Sequence, residues 1–119
     1  MAFDLVGENP KDYDGEWIRF NIWTWHRIWR GVIKVFPDIA ESVEEWYHNS
    51  NQLVPASTAV RLAKELQMYG EARFAKAAAE ENIADQMLNI GDRTVEAHIL
   101  FEMDAFIKFL YSCNGFRIK

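Results

Sequence analysis

The sequence predicts a single, mostly α-helical domain over residues 1–119, with four to five helices and a short two-stranded antiparallel element joining the chain ends. Half of the 119 residues are hydrophobic and 14% are aromatic, which is typical of a folded globule with one core. Apolar residues recur at helical spacing over most of the chain. Strand-like alternation is limited to "FDLV" near the start and "FRIK" at the end.

The pattern of the first predicted helix covers residues 17–36; Asn21 is a candidate N-cap, and a start on either side of Asn21 is left open. Phe36 precedes Pro37 and therefore avoids the α conformation, which ends the helix. Pro37 then suits the first turn of a second helix, whose buried stripe consists of three residues at helical spacing. These three residues are Ile39, Val43 and Trp46.

Three further helices are predicted in the second half of the chain. Ser57 caps the third helix, which stops at Gly70, and an alanine-rich fourth helix follows over residues 71–88. Thr94 caps the last helix, and Gly115 lies just past its end. The apolar face of the last helix comprises Ile99, Met103, Phe106, Leu110 and Cys113. After this helix, "FRIK" is expected to pair with "FDLV" and to join the chain ends.

Charge and composition narrow the classes of function. The formal net charge of −5 disfavours the phosphate-driven binding of a general nucleic-acid coat. No run approaches the roughly 20 apolar residues that span a bilayer, and the first residues lack a secretory signal. The single Cys113 excludes an internal disulfide and fits a reducing compartment. We therefore expect a cytoplasmic protein that does not enter a membrane.

The sequence contains no complete catalytic or metal-binding motif. Glu45-x-x-His48 has the spacing used by di-iron bundles, but no second motif of this kind follows. Glu96 and His98 are two residues apart and point in different directions on a helix. Cys113 lies on an apolar face, where cysteine usually behaves as a small hydrophobic residue. We therefore expect no catalytic residue, no metal ligand and no cofactor.

The segment "FNIWTWHRIWRGV", residues 20–32, carries three of the five tryptophans and the strongest candidate for a binding surface. On a helical wheel, one arc is apolar and forms a core face that includes Trp25 and Trp29. Trp23 lies on the opposite arc, where a large aromatic side chain is unexpected. Its neighbours on that arc are Arg19, His26, Arg27, Arg30 and Lys34.

Two interpretations of Trp23 are open at this point. In the first, the N-terminal loop or the last strand covers the indole ring, and arginine stems complete the packing. In the second, Trp23, Arg27 and Arg30 form an interface hot spot, since Trp and Arg often dominate protein interfaces. A protein partner is preferred over a nucleic acid because of the net charge, and association with a second copy stays open. The second interpretation predicts a small cytoplasmic interaction or accessory protein.

An alternative function is small-ligand binding or catalysis in a pocket near Asp4 and His26. Asp4 lies on the predicted first strand, near the joined chain ends, and His26 borders the core face of the first helix. Convergence of both groups with neighbouring aromatic side chains would favour this function. Dispersal of the two groups over separate surfaces would argue against it.

Both ends of the chain carry motifs that resemble a known family. The motifs are "FDLVGENP", "GEWIRFNIWTWHRIW" and "FIKFLYSCNGFRI". Together they are similar to a family of small bacterial and phage proteins that has no established activity. Its members share a Tyr/Phe-Asp-Leu-x-Gly-x-x-Pro start, a tryptophan-rich segment and a Gly-Phe-x-Ile ending. The resemblance covers both ends of the chain and fades in the middle.

The resemblance implies a phage- or mobile-element-related protein of unknown biochemical role. It also implies that the first helix starts near Trp25 or His26, because relatives carry a proline where this chain has Arg27. Thr24 stands where relatives have a further tryptophan. Some relatives have a cysteine-rich insert that resembles a zinc ribbon before the last helix. This chain has no cysteine in that region, so zinc binding does not carry over.

Overall fold

The computed structural model describes residues 2–80, 89–90 and 93–119, which form helices and a small sheet. The helices are α1 (Ile22–Val35), α2 (Pro37–Ala40), α3 (Ala56–Tyr69), α4 (Glu71–Glu80) and α5 (Val95–Ser112). The strands are β1 (Ala2–Gly7), β2 (Trp17–Asn21), β3 (Leu53–Val54), β4 (Asn89–Ile90), β5 (Arg93–Thr94) and β6 (Phe116–Ile118). A short 3₁₀ turn, Tyr13–Gly15, precedes β2. None of the described helices is long and apolar enough to cross a membrane.

The predicted pairing of the two chain ends is confirmed, but the sheet is larger than expected. It has four antiparallel strands in the order β2-β1-β6-β3, so both terminal strands lie in its interior. Leu5 of β1 lies opposite Ile118 of β6, and Asp4 lies opposite Arg19 of β2. A separate pair is formed by β4 and β5. The mostly helical fold class is therefore confirmed, whereas the two-stranded element is corrected to a four-stranded sheet.

The prediction of a helix over residues 17–21 is wrong, because these residues form β2. Within β2, Phe20 is buried and Ile18 half-buried, whereas Trp17 and Arg19 are exposed, as expected for a strand with one solvated face. The prediction of Asn21 as N-cap is confirmed, since its side-chain oxygen accepts a hydrogen bond from the Thr24 N–H at 2.8 Å. The helix thus begins earlier than the family resemblance implies.

The second helix is shorter than its apolar stripe indicates. Only residues 37–40 are helical, and turns follow up to residue 49. Side chains bind the backbone within this segment: the Ser42 hydroxyl donates to the Ile39 carbonyl at 2.9 Å, and Gln52 accepts from the Glu45 N–H at 2.6 Å. Such local bonds favour turns over a continued helix. The stripe nevertheless faces inwards, since Val43 is buried and Trp46 half-buried.

Most of the remaining helix boundaries agree with local sequence signals where the structure describes them. The prediction of Ser57 as the cap of the third helix is wrong, because α3 starts at Ala56 and Pro55, which has no capping side chain, occupies the N-cap position. The predicted stop at Gly70 is confirmed, and its φ of 101° favours glycine. Of the fourth predicted helix, residues 71–80 are helical, and residues 81–88 lie outside the described residues. Thr94 caps α5 by accepting from the Ala97 N–H at 3.2 Å. The predicted apolar face of α5 is buried throughout.

Trp25 occupies the centre of an aromatic cluster beneath the sheet. Its ring lies 5.4 Å from that of Trp29, 6.1 Å from Phe20 and 6.3 Å from Phe106, measured between centroids. The Trp25 indole N–H donates to the Trp46 carbonyl at 2.7 Å. The Trp29 indole N–H is buried and has no hydrogen-bond partner in the described part of the chain. Two equally buried tryptophans therefore differ in one hydrogen bond.

This difference predicts unequal costs for two matched substitutions. Trp25→Phe and Trp29→Phe remove similar volumes from fully buried sites, but only Trp25→Phe leaves a carbonyl without its donor. We expect Trp25→Phe to lower the free energy of unfolding by about 1–2 kcal/mol more than Trp29→Phe does. Urea denaturation of both variants measures this difference. Equal losses would contradict the assigned role of the Trp25 hydrogen bond.

Candidate interaction surfaces

Trp23 lies on the surface, in the first turn of α1. Its side chain is 66% exposed, whereas Trp25 and Trp29 of the same helix are fully buried. Neither the N-terminal loop nor the last strand covers its ring, so the first of the two interpretations of Trp23 does not hold. The core positions that the helical wheel assigned to Trp25 and Trp29 are confirmed.

The predicted cation cluster around Trp23 is only partly present. Arg30 is exposed, but Arg27 is only 9% exposed and does not belong to the open surface. Helix α4 packs closely on α1 at Gly31, where an added Cβ would lie 2.7 Å from the Cβ of Ala78. Lys34, also exposed, donates to the Ala77 carbonyl of α4 at 3.4 Å. A helical wheel represents one helix in isolation, so it could not predict the burial of Arg27.

Arg19 belongs to a different surface, the outer face of the sheet. Its guanidinium group donates to both carboxylate oxygens of Asp4, at 2.8 and 3.3 Å. The Trp17 indole N–H donates to the same carboxylate at 3.0 Å. The hydrogen bonds from Arg19, with a smaller contribution from Trp17, hold the pKa of Asp4 below its ordinary value. Arg19 is therefore a partner of Asp4 in the sheet and not a neighbour of Trp23 on a helix.

Asp4 and His26 do not converge on a shared pocket. The His26 ring packs 5.6 Å from Phe3 and 5.3 Å from Trp46, and its Nε2 lies 3.1 Å from the Tyr47 carbonyl oxygen. Phe3 is buried on the inner face of β1, whereas the Asp4 side chain points to the outer face. The expectation of a pocket formed by both groups is therefore wrong, because adjacent residues of a strand face opposite sides of the sheet.

The titratable groups considered for chemistry are also dispersed. Within the described residues, no three of His, Cys, Asp and Glu are grouped to hold a metal ion. Glu45 and His48 form an exposed contact at 2.9 Å. His98 bonds through its Nε2 to the buried Thr24 hydroxyl at 2.9 Å and so joins α5 to α1. Burial raises the pKa of the Cys113 thiol to about 11, which disfavours a nucleophilic thiolate at neutral pH.

The sequence interpretation missed a second exposed surface, on the outer face of the sheet. Trp17, Val6, Arg117 and Leu53 form one row across four strands. Trp17 is 55% exposed, and Leu53 is also exposed. The sequence signal for this surface is the strand-like alternation of side chains in "WIRFN". The helical pattern of the residues that follow obscured it.

A cleft of about 230 Å³ adjoins this face between β2 and α5. It is lined by Tyr13, Asp14, Trp17, Ile18, Asp104, Ala105 and Lys108. A larger cleft of about 410 Å³ lies between the end of α4 and the start of α5. Its lining residues are Lys76, Ala79, Glu80, Thr94, Val95 and Glu96.

Comparison of the chain with protein-family models, with curated proteins and with solved structures found no match.

The ion pair of Asp4 predicts a pH-dependent contribution to stability. Because the folded-state pKa of Asp4 is lowered, its contribution is present above the unfolded pKa and is lost as pH falls through the folded value. Asp4→Asn should therefore destabilise slightly at pH 7, and the difference from the wild type should disappear once the pH has fallen through the lowered pKa of Asp4. Thermal melting across this range measures the difference. A difference that does not vary with pH would contradict the assigned ion pair.

Proposed function

We propose that this chain is a small cytoplasmic interaction or accessory protein that binds another protein through the surface around Trp23 and Arg30. The observation that carries the proposal is the 66% exposure of Trp23 in a helix whose other tryptophans are buried. Exposed aromatic side chains of this size are typical anchors of protein interfaces. Arg30 lies two turns along the same side of α1, about 10 Å away along the helix axis.

The distribution of charge supports a protein partner over a nucleic acid. The net charge is −5, Arg27 is buried, and Arg19 is bound to Asp4. The basic arc expected from the helical wheel is thereby reduced to Arg30 and Lys34 as exposed groups on α1. Binding through several phosphates needs more cations than these two.

The same proposal includes the cellular compartment and the origin of the protein. The lone Cys113 is a buried free thiol, which suits a reducing compartment such as the cytoplasm. The resemblance of both chain ends to small bacterial and phage proteins supports a bacterial, phage or mobile-element origin. The alternative of a ligand-binding or catalytic pocket at Asp4 and His26 has no support from the geometry, since the two groups face opposite sides of β1.

Trp23→Ala tests the proposal. We expect this substitution to weaken partner binding by more than about tenfold, as for a hot-spot residue. The free energy of unfolding should change by less than about 0.5 kcal/mol, as for an exposed position. Partner capture from the native host followed by titration calorimetry measures the first effect, and urea denaturation measures the second.

Met68→Ala is the matched control, because Met68 is exposed and lies on α3, not on α1. The control should leave both quantities unchanged. Equal capture by wild type and Trp23→Ala would contradict the proposal, and a large loss of stability would show that Trp23 is structural. Loss of a dimer in Trp23→Ala, seen by sedimentation, would identify the partner as a second copy.

A further inference from the structure

Strand β2 forms a free edge of the four-stranded sheet, because β1 is its only partner among the described strands. The Asp4 carbonyl accepts from the Lys119 N–H at 2.7 Å, so the backbone of Asp4 points towards the β6 side and away from β2. Arg19 lies opposite Asp4 in the register, and its own N–H and C=O therefore point away from β1. The same alternation directs the backbone of Trp17 outwards.

The outward backbone groups of Trp17 and Arg19 have no hydrogen-bond partner among residues 2–80, 89–90 and 93–119. Strand β2 contains no proline, and the charge of Arg19 is balanced by Asp4 on the neighbouring strand. An unpaired edge of this kind is a template for another extended chain. The unpaired N–H and C=O groups of this edge can therefore pair with one more strand.

Helix α5 runs beneath this edge in the direction opposite to β2. Phe20, near the end of β2, meets Phe106 with ring centroids 5.6 Å apart. Gly15, just before β2, lies against the backbone of Ser112 at the end of α5. The cleft of about 230 Å³ lies between the two elements, where Ile18 and Ala105 both line it. It therefore adjoins the first residues of the free edge.

The cleft combines an apolar wall with an excess of negative charge. Tyr13 and Trp17 supply aromatic surface, and Asp14 and Asp104 supply two carboxylates. Among the described residues that line the cleft, Lys108 is the one cation, and it is paired with Asp104 at 2.9 Å. An arginine or lysine side chain fits this lining, because its stem packs on apolar surface while its charge meets a carboxylate. The aromatic rings also attract a cation.

From the free edge and the adjoining cleft, we propose that β2 binds an extended, basic segment of a partner protein by strand addition. The backbone of the segment pairs with the outward groups of Trp17 and Arg19, and one arginine or lysine side chain enters the cleft towards Asp14. The main-chain bonds supply affinity, and the side chain in the cleft supplies specificity. This surface is separate from Trp23 and Arg30, so the inference goes beyond the proposed function and does not depend on it.

A second copy of the chain is a poorer occupant of this edge. The longest symmetric antiparallel pairing of two β2 strands through their outward groups centres on Arg19. It places Arg19 directly opposite Arg19 of the other copy. Each Arg19 is already paired with Asp4 of its own chain, so this pairing of two copies adds no charge complementarity. A basic segment of another protein, in contrast, complements the negative charge of the cleft.

Two substitutions of Arg19 distinguish the contribution of its backbone N–H to peptide binding from the contribution of its side chain. Arg19→Pro removes the outward N–H, whereas Arg19→Ala keeps it, and both lose the ion pair with Asp4. Displayed random peptides of about ten residues, longer than a typical strand, are selected on the wild-type chain. We expect the selected peptides to be rich in arginine and lysine. They should bind Arg19→Ala nearly as tightly as the wild type and Arg19→Pro about tenfold more weakly.

Asp104→Lys provides a third variant, which reverses the charge of one side chain in the cleft and leaves the strand edge unchanged. It should also weaken binding of the selected peptides. Amide exchange of the wild-type chain, saturated with a selected peptide, gives a readout that does not depend on any variant folding. New protection is expected at the N–H groups of Trp17 and Arg19.

Four outcomes would overturn the inference: no enriched peptide, enrichment of acidic peptides, equal binding by Arg19→Pro and Arg19→Ala, or protection confined to other amides. A wild-type dimer that Arg19→Pro dissociates would assign the edge to a second copy instead. None of these results alters the test of Trp23, because that test uses a different surface and different variants.

Discussion

The fold depends on the position of β1 between β2 and β6. Because both neighbours are bonded to this one strand, its alternation decides which side chains of all three strands enter the core. Phe3 and Leu5 face inwards, as do Phe20 and Ile118, which lie opposite them in the register. A slip of one residue would move this apolar set into solvent. Both chain ends are therefore held in a single register.

The same register sets the orientation of α1. Strand β2 ends at Asn21, whose side chain caps α1 with no loop between the two elements. The inward orientation of Phe20 therefore determines which side of α1 faces the core. On that side, the Trp25 ring stacks on the Phe20 ring with an interplanar angle of 17°. Trp23 is then placed on the outside. The two candidate surfaces, around Trp23 and along the edge of β2, thus follow from one strand register.

Local chemistry predicts much of this structure, and tertiary contacts decide the rest. The caps at Asn21 and Thr94 were predictable because each needs only one side chain and a nearby N–H. Strand β2 was not, since five alternating residues adjoin a long helical pattern, and β3 has only two residues. The outward position of Trp23 followed from the helical wheel. The burial of Arg27 did not, because it depends on tertiary packing that a helical wheel does not contain.

Amide hydrogen exchange of the unliganded chain tests the central position of β1 most directly. The amides of β1, and those of Ile18 and Phe20 that face it, should exchange as slowly as the buried turns of α5. The amides of Trp17 and Arg19 point to the free edge and should exchange much faster. Fast exchange along β1 beside a protected α5 would contradict this account. So would protection of Trp17 and Arg19 equal to that of Ile18 and Phe20.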